Sequence, residues 1–176
     1  MLNAGNIILV GPMGSGKSAV GRLLAQRLGL SLVDTDAEIE ARTGVDIAYI
    51  FEREGEAGFR SREAEVIDAL SRRDRVLVST GGGAILDAST RERLRARGRV
   101  VYLRTSVDQQ LARTRRSNDR PLLNNDDPRG TLERLFEQRA PLYTEVAEIV
   151  VDTDGRKVKA VVDQICHQLG IDGVEP

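Results

Sequence analysis

The chain has 176 residues, 40% of them hydrophobic and 30% charged, which suits one folded domain with a real core rather than a disordered chain. Its 26 basic and 27 acidic side chains leave a net charge of −1, which argues against a general nucleic-acid or membrane-surface binder, since those need a large basic excess. One cysteine (Cys166) and one histidine (His167) exclude an intrachain disulfide and any metal site built on several cysteines or paired histidines.

Residues 6–10, NIILV, form a short apolar run rich in β-branched side chains and predict a buried strand. A glycine-rich turn over 11–16 follows, after which Val20, Leu23, Leu24 and Leu28 share one helical face. Residues 32–34 predict a second strand that ends in acid. Residues 35–72 read as mainly helical, with breaks near Gly44 and Gly55 and an apolar stripe at Val66, Ile67 and Leu70. The third strand is VLVS at 76–79, stopped by Gly81, Gly82 and Gly83, and a polar helix is expected over 88–97. Residues 100–103 predict a fourth strand and 107–114 a short helix. Residues 115–128, RRSNDRPLLNNDDP, are polar apart from Leu122 and Leu123 and predict a long exposed loop acting as a lid. A helix over 129–144 and a fifth strand over 148–151 come next. The chain closes with a helical stripe of Val158, Val161, Val162, Ile165 and Leu169. Cys166 and His167 fall off that stripe, so both are expected at the surface or its boundary, with no chemical role.

Strands alternating with helices imply an α/β fold: a three-layer α/β/α domain around a five-stranded parallel sheet, with no second domain. No apolar run approaches the ~18 residues of a membrane span, and the first residues lack the pattern of a signal peptide. A cytoplasmic location is therefore expected. Balanced charge and no exposed apolar stripe lead to the expectation of a monomer. In parallel sheets of this kind ligands bind beyond the carboxyl ends of the strands, so the residues at each strand end matter most.

After the first strand, Gly11-Pro12-Met13-Gly14-Ser15-Gly16-Lys17-Ser18 matches G-x-x-x-x-G-K-[ST], the P-loop pattern. Glycines let backbone N–H groups wrap phosphate oxygens, and the helix starting near Lys17 adds its positive N-terminal end. Lys17 is placed to reach the β- and γ-phosphates and the Ser18 hydroxyl to ligate Mg²⁺. The second strand ends in Asp34-Thr35-Asp36. In extended chain two carboxylates at i and i+2 point the same way, so both aim at the phosphate site, one for Mg²⁺ or its water and one for the proton of an attacking hydroxyl. The competing reading is helix capping, since all three residues are good N-caps for a helix starting at about 37. Gly81, Gly82 and Gly83 either let a ligand approach the backbone or make a flexible turn. Three arginines stand in unusual contexts: Arg60 after Gly58-Phe59, Arg120 before Pro121 in the predicted lid, and Arg139 before Ala140-Pro141. An arginine fork binds carboxylate or phosphate with two hydrogen bonds.

Taken together, GPMGSGKS at 11–18, DTD at 34–36, GFR at 58–60, GGG at 81–83, RPLL at 120–123 and RAPLY at 139–143 resemble the shikimate kinase family over nearly the whole chain. The resemblance implies a small-molecule kinase that moves the γ-phosphoryl group of ATP to the 3-hydroxyl of shikimate, in the synthesis of chorismate and aromatic amino acids. It implies that Gly14, Ser15, Gly16, Lys17, Ser18 and Ala19 hold ATP, with Ser18 and Asp34 (through water) on Mg²⁺. Ala19 stands where the family often has Thr. Asp36 is implied to bind the shikimate hydroxyls and accept the proton, Arg60 and Arg139 to clamp the carboxylate, and Gly82 to contact the substrate through its backbone. Arg120 is implied to close over the phosphates with the lid, and Arg156 to sit against the adenine. The catalytic set is then Asp36, Lys17 and Arg120. ATP and shikimate are the expected partners, with neither nucleic acid nor membrane. The rival readings are another small P-loop kinase, acting on gluconate or a nucleoside monophosphate, and a non-catalytic nucleotide-binding regulator.

Overall fold

The computed structural model describes residues 5–115 and 121–171. Five strands, β1 (Ile7–Val10), β2 (Ser31–Asp34), β3 (Val76–Ser79), β4 (Arg99–Arg104) and β5 (Ile149–Asp152), form one sheet in the order β2-β3-β1-β4-β5. Every pairing is parallel; β1 sits at the centre, with Ile7 opposite Leu77 on one side and Arg99 on the other. The helices are α1 (Lys17–Leu28), α2 (Thr35–Thr43), α3 (Ile47–Ser71), α4 (Ala88–Arg97), α5 (Val107–Thr114), α6 (Pro128–Val146) and α7 (Val158–Gln168). The expected elements are all present, with ends moved by a residue or two.

Period-two alternation sends the strand side chains to two separate cores. Ile8, Val10, Val78, Val100 and Tyr102 pack with residues of α2, α3, α4 and α6, including Ile39, Ile67, Leu94 and Tyr143. Ile7, Leu9, Leu77, Val101 and Leu103 face the other way, onto Val20 and Leu24 of α1 and Val162 and Ile165 of α7. All four residues of β1 have no exposed surface, as a central strand covered on both faces requires. The break expected at Gly44 separates α2 from α3, and the one at Gly55 is a kink inside α3, where φ is 70° and ψ is −177°. Among the described residues no helix is long and apolar enough to cross a membrane.

Two expectations are corrected. Cys166 is buried, not at the boundary: it lies four residues after Val162 on a face turned towards α1, and Arg27 of α1 reaches its thiol at 4.0 Å. Val158, which belongs to the sequence stripe, is 37% exposed at the first turn of α7. The predicted loop is also shorter than expected on its carboxyl side. Residues 121–123 make a single 3₁₀ turn, and α6 already starts at Pro128, capped by the Asp127 carboxylate, which accepts from Gly130 N–H at 3.0 Å. Residues 116–120 of that loop lie outside the described residues.

Candidate active site

Because all five strands run the same way, the chain leaves each at the same end of the sheet. There β1 delivers the P-loop, β2 the DTD residues and β3 the glycine run. Two adjoining cavities open at this end.

The first, about 350 Å³, is lined by residues 13–19, by Asp34, Asp36, Ser79, Thr80, Gly81 and Gly82, and by Arg22 and Arg113. The P-loop bends sharply here. Gly14 has φ of 75°, and a Cβ on it would come within 3.2 Å of the Gln110 carbonyl, so close packing of the loop on α5 admits only glycine. Lys17 Nζ donates to the carbonyls of Gly11 (2.7 Å) and Pro12 (2.9 Å) and reaches Ser15 Oγ at 3.3 Å, spanning the loop. Its backbone begins α1, whose N-terminal end, with no side-chain cap from Gly16, suits an anion. Arg113 of α5 donates to the Gly14 carbonyl at 2.8 Å and forms part of the wall.

The second pocket, about 100 Å³, is lined by Met13, Asp36, Ile47, Phe51, Phe59, Arg60, Glu63, the three glycines 81–83, Leu122 and Arg139. Asp36, Met13, Gly81 and Gly82 line both cavities and form the boundary between them. A small polar molecule in this pocket meets two guanidinium groups, the carboxylates of Asp36 and Glu63, and the rings of Phe51 and Phe59. That is the donor set for an organic acid carrying hydroxyls.

Asp34 and Asp36 share a cavity, but not for the reason expected from extended chain. The helix begins at Thr35, not near 37. Asp34 is its N-cap, with one carboxylate oxygen accepting from Ala37 N–H at 3.0 Å, and Asp36 lies in the first helical turn. Capping and site-lining thus coexist, because a carboxylate has a second oxygen to offer. Thr35 is buried, and its hydroxyl accepts from Gly81 N–H at 3.1 Å, which ties the ends of β2 and β3 together.

Arg60 pairs with Glu63 at 2.8 Å and with Glu56 at 3.2 Å, and its guanidinium lies 5.0 Å from the Phe59 ring centre. A Cβ on Gly83 would overlap that guanidinium, so the glycine run makes room for the arginine as well as for a ligand. Arg139 is 4% exposed, and its Nε has no partner among the described residues. A buried guanidinium N–H in a pocket wall invites an anionic ligand.

Sequence reasoning missed three residues. Glu63 is 2% exposed, with Oε1 on Arg60 and Oε2 without a partner among the described residues. Burial pushes its carboxyl above the ordinary range, with Arg60 pulling the other way and Asp36 adding to the rise. Tyr143 is buried against Tyr102 and donates its hydroxyl to the Gly82 carbonyl. Arg113 is the third. For Glu63 the only sequence signal was its place three residues after Arg60 on a helix; for Arg113 there was none, and Tyr143 stood unread within RAPLY.

Of the expected residues, the cavities bring together Gly14, Ser15, Gly16, Lys17, Ser18, Ala19, Asp34, Asp36, Arg60, Gly82 and Arg139. Arg156 stands after β5, donating to the carbonyls of Asp152 and Ala160 at 3.1 Å each and to Gln164, and it lines neither cavity. Arg120 lies outside the described residues.

A family model described as shikimate kinase matches residues 13–170. Shikimate kinases of Shewanella frigidimarina and Alteromonas mediterranea are 56% and 54% identical, each over 94% of this chain and over 96% and 97% of their own. A structure of shikimate kinase from Acinetobacter baumannii in complex with shikimate superposes with a TM-score of 0.92 at 46% identity, covering 97% of this chain and 95% of that one.

Proposed function

This chain belongs to the shikimate kinase family, and from that premise we propose that it transfers the γ-phosphoryl group of ATP to the 3-hydroxyl of shikimate, giving ADP and shikimate 3-phosphate. The observation that carries this reading is the boundary between the cavities: Asp36 and Gly82 line both, so an acceptor hydroxyl at Asp36 lies next to the phosphate loop. The P-loop N–H groups and Lys17 hold the phosphates. Arg60 and Arg139 fork the shikimate carboxylate, and Gly82 supports it through its backbone. Those contacts fix the ring so that its 3-hydroxyl meets the Asp36 carboxylate.

Phosphoryl transfer has a loose transition state, so placement and charge neutralisation dominate. As the new O–P bond forms and the bond to the β-phosphate oxygen breaks, the hydroxyl proton passes to Asp36 late, once the alcohol has become acidic. Arg120 and the connection between α5 and α6 close over the phosphates and keep water out. Arg156 sits towards the adenine.

The donor set suits Mg²⁺. This ion keeps most of its waters and needs only one or two carboxylates beside nucleotide phosphates, and Ser18, Asp34 and Asp36 line one cavity. Ser18 and Asp34, the latter through water, would hold it; bound there it neutralises phosphate charge. The enzyme acts as a cytoplasmic monomer on its two small-molecule substrates, without nucleic acid or membrane.

The test is ADP release with MgATP in the presence of shikimate, gluconate, AMP or no acceptor. Release with shikimate alone is expected. Release with gluconate or AMP would remove the carboxylate clamp from the reading, and rapid release without acceptor would remove the closing loop.

A further inference from the structure

Three consecutive glycines have no side chains to fix them, and glycine has the widest conformational freedom of any residue. Yet the run at 81–83 is held at four of its six backbone polar groups. Gly81 N–H donates to Thr35 Oγ1 at 3.1 Å. The Gly81 carbonyl accepts from Ala84 N–H and the Gly83 carbonyl from Leu86 N–H, each at 3.1 Å. The remaining carbonyl, of Gly82, accepts from the Tyr143 hydroxyl, across 61 residues of sequence. The N–H groups of Gly82 and Gly83 have no partner among the described residues. Two adjacent N–H donors stand in the same pocket wall as Arg60 and Arg139 and would serve as a cradle for an anion.

Tyr143 and Arg139 sit four residues apart on α6, on the same face. Arg139 lines the pocket, and a Cβ on Gly82 would lie 3.4 Å from its Nη1, so the guanidinium and the Gly82 peptide are in close approach. One helical turn thus delivers both the cation that meets an anion and the hydroxyl that sets the peptide beside it. We infer that Tyr143 is a positioning residue for the acceptor. By holding the Gly82 carbonyl, it fixes the peptide plane between Gly82 and Gly83 and so aims the N–H cradle at the acceptor's carboxylate. This rests on the assignment of Arg60, Arg139 and Gly82 to the carboxylate end of shikimate.

The neighbouring Tyr102 supplies an internal control. Its ring stacks on Tyr143 with centres 4.9 Å apart, and it is buried to a similar degree, but its hydroxyl has no hydrogen-bond partner among the described residues. Tyr143→Phe and Tyr102→Phe therefore remove one buried hydroxyl each from the same stacked pair, and only the first touches the glycine run.

The experiment is steady-state kinetics of the full chain carrying Y143F, Y102F or R139A, with melting midpoints measured with and without each substrate. For Y143F, KM for shikimate should rise about tenfold, the scale of one lost hydrogen bond, while kcat and KM for ATP stay within about twofold. The stabilisation of the fold by added shikimate should shrink, and that by added ATP should persist. Y102F should match the wild type in KM for both substrates. The midpoint shifts also give a reading if Y143F is too unstable for kinetics. An unchanged shikimate KM in Y143F, or parallel changes in both KM values and kcat, would overturn the positioning role. If R139A also leaves shikimate binding unchanged, the failure lies in the carboxylate assignment itself; if R139A weakens it while Y143F does not, the failure belongs to Tyr143 alone.

Discussion

The phosphate-side cavity is built around an unbroken run, residues 13–19, from one loop and the helix it starts, while the acceptor pocket takes side chains from α2, both halves of α3, the 3₁₀ turn and α6, with backbone from the glycine run. The first centres on the bend of one segment, with side chains such as Asp34 and Arg113 added at its walls. The second is an assembly, in which Arg60 depends on Glu63, Gly82 on Tyr143 and Gly81 on Thr35. A substitution on the acceptor side should therefore disturb shikimate and leave ATP alone. Only at the shared boundary should one change stop turnover while both substrates still bind.

Asp36→Asn should have the largest effect. It keeps the size of a boundary residue and removes its basicity, so kcat should fall by about 10²- to 10⁴-fold with ATP affinity unchanged, as read by single-turnover kinetics and nucleotide titration. Equal losses in ATP affinity and turnover would erase the proposed division between the cavities.

Gly83→Ala comes next. The new methyl group displaces the Arg60 guanidinium, the far end of a flexible side chain, so the fold should persist while one arm of the carboxylate fork is lost. KM for shikimate should rise about tenfold or more with KM for ATP steady. An unchanged shikimate KM would mean that Arg60 serves only to pair Glu63.

The smallest effect concerns stability. Burial raises the folded-state pKa of Glu63 above its ordinary 4.5, so the folded chain holds a proton that the unfolded chain has already released. Stability from this group is greatest below the ordinary value and declines as pH climbs from there through the raised one. At the far sheet edge the sign reverses: Arg104 holds Asp152 below its ordinary range, and the corresponding stability is lost as pH falls. Glu63→Gln should flatten the decline that sets in above the ordinary carboxylate range in urea unfolding and leave the acid limb in place. An unaltered decline would assign it to some other group.

The same contrast explains what could be read from the sequence. The strands announced themselves as short β-branched runs ended by acid or glycine, and the phosphate loop as one contiguous motif. The structure shows what starts α4 and α5, the caps Asp87 and Ser106, whose side chains accept from the third residue on and which the sequence reading did not single out. Arg60, Gly82 and Arg139 were legible only because their surrounding motifs resemble a family; as isolated residues, they look like any arginine or glycine. Glu63 and Tyr143 owe their roles to partners brought near by folding, which no local pattern encodes. Cys166 was misread because the buried face of α7 runs from Val162 on to it, against α1, beyond the stripe that the larger apolar residues mark.

The position of β1 at the centre of the sheet bears on synthesis. Its neighbours are β3 and β4, and Ile7 finds its partners only at Leu77 and Arg99. On the ribosome the strand made first must wait for both, and with long-range parallel pairing that wait is slow. The loop at its end packs on α5 through Gly14 and Gln110, so a nascent chain has no finished nucleotide cradle until about two-thirds of it has emerged. Nucleotide then meets β1 to β4 with β5 still to come, and the free energy of binding it stabilises the pairing of those four strands rather than the first loop alone.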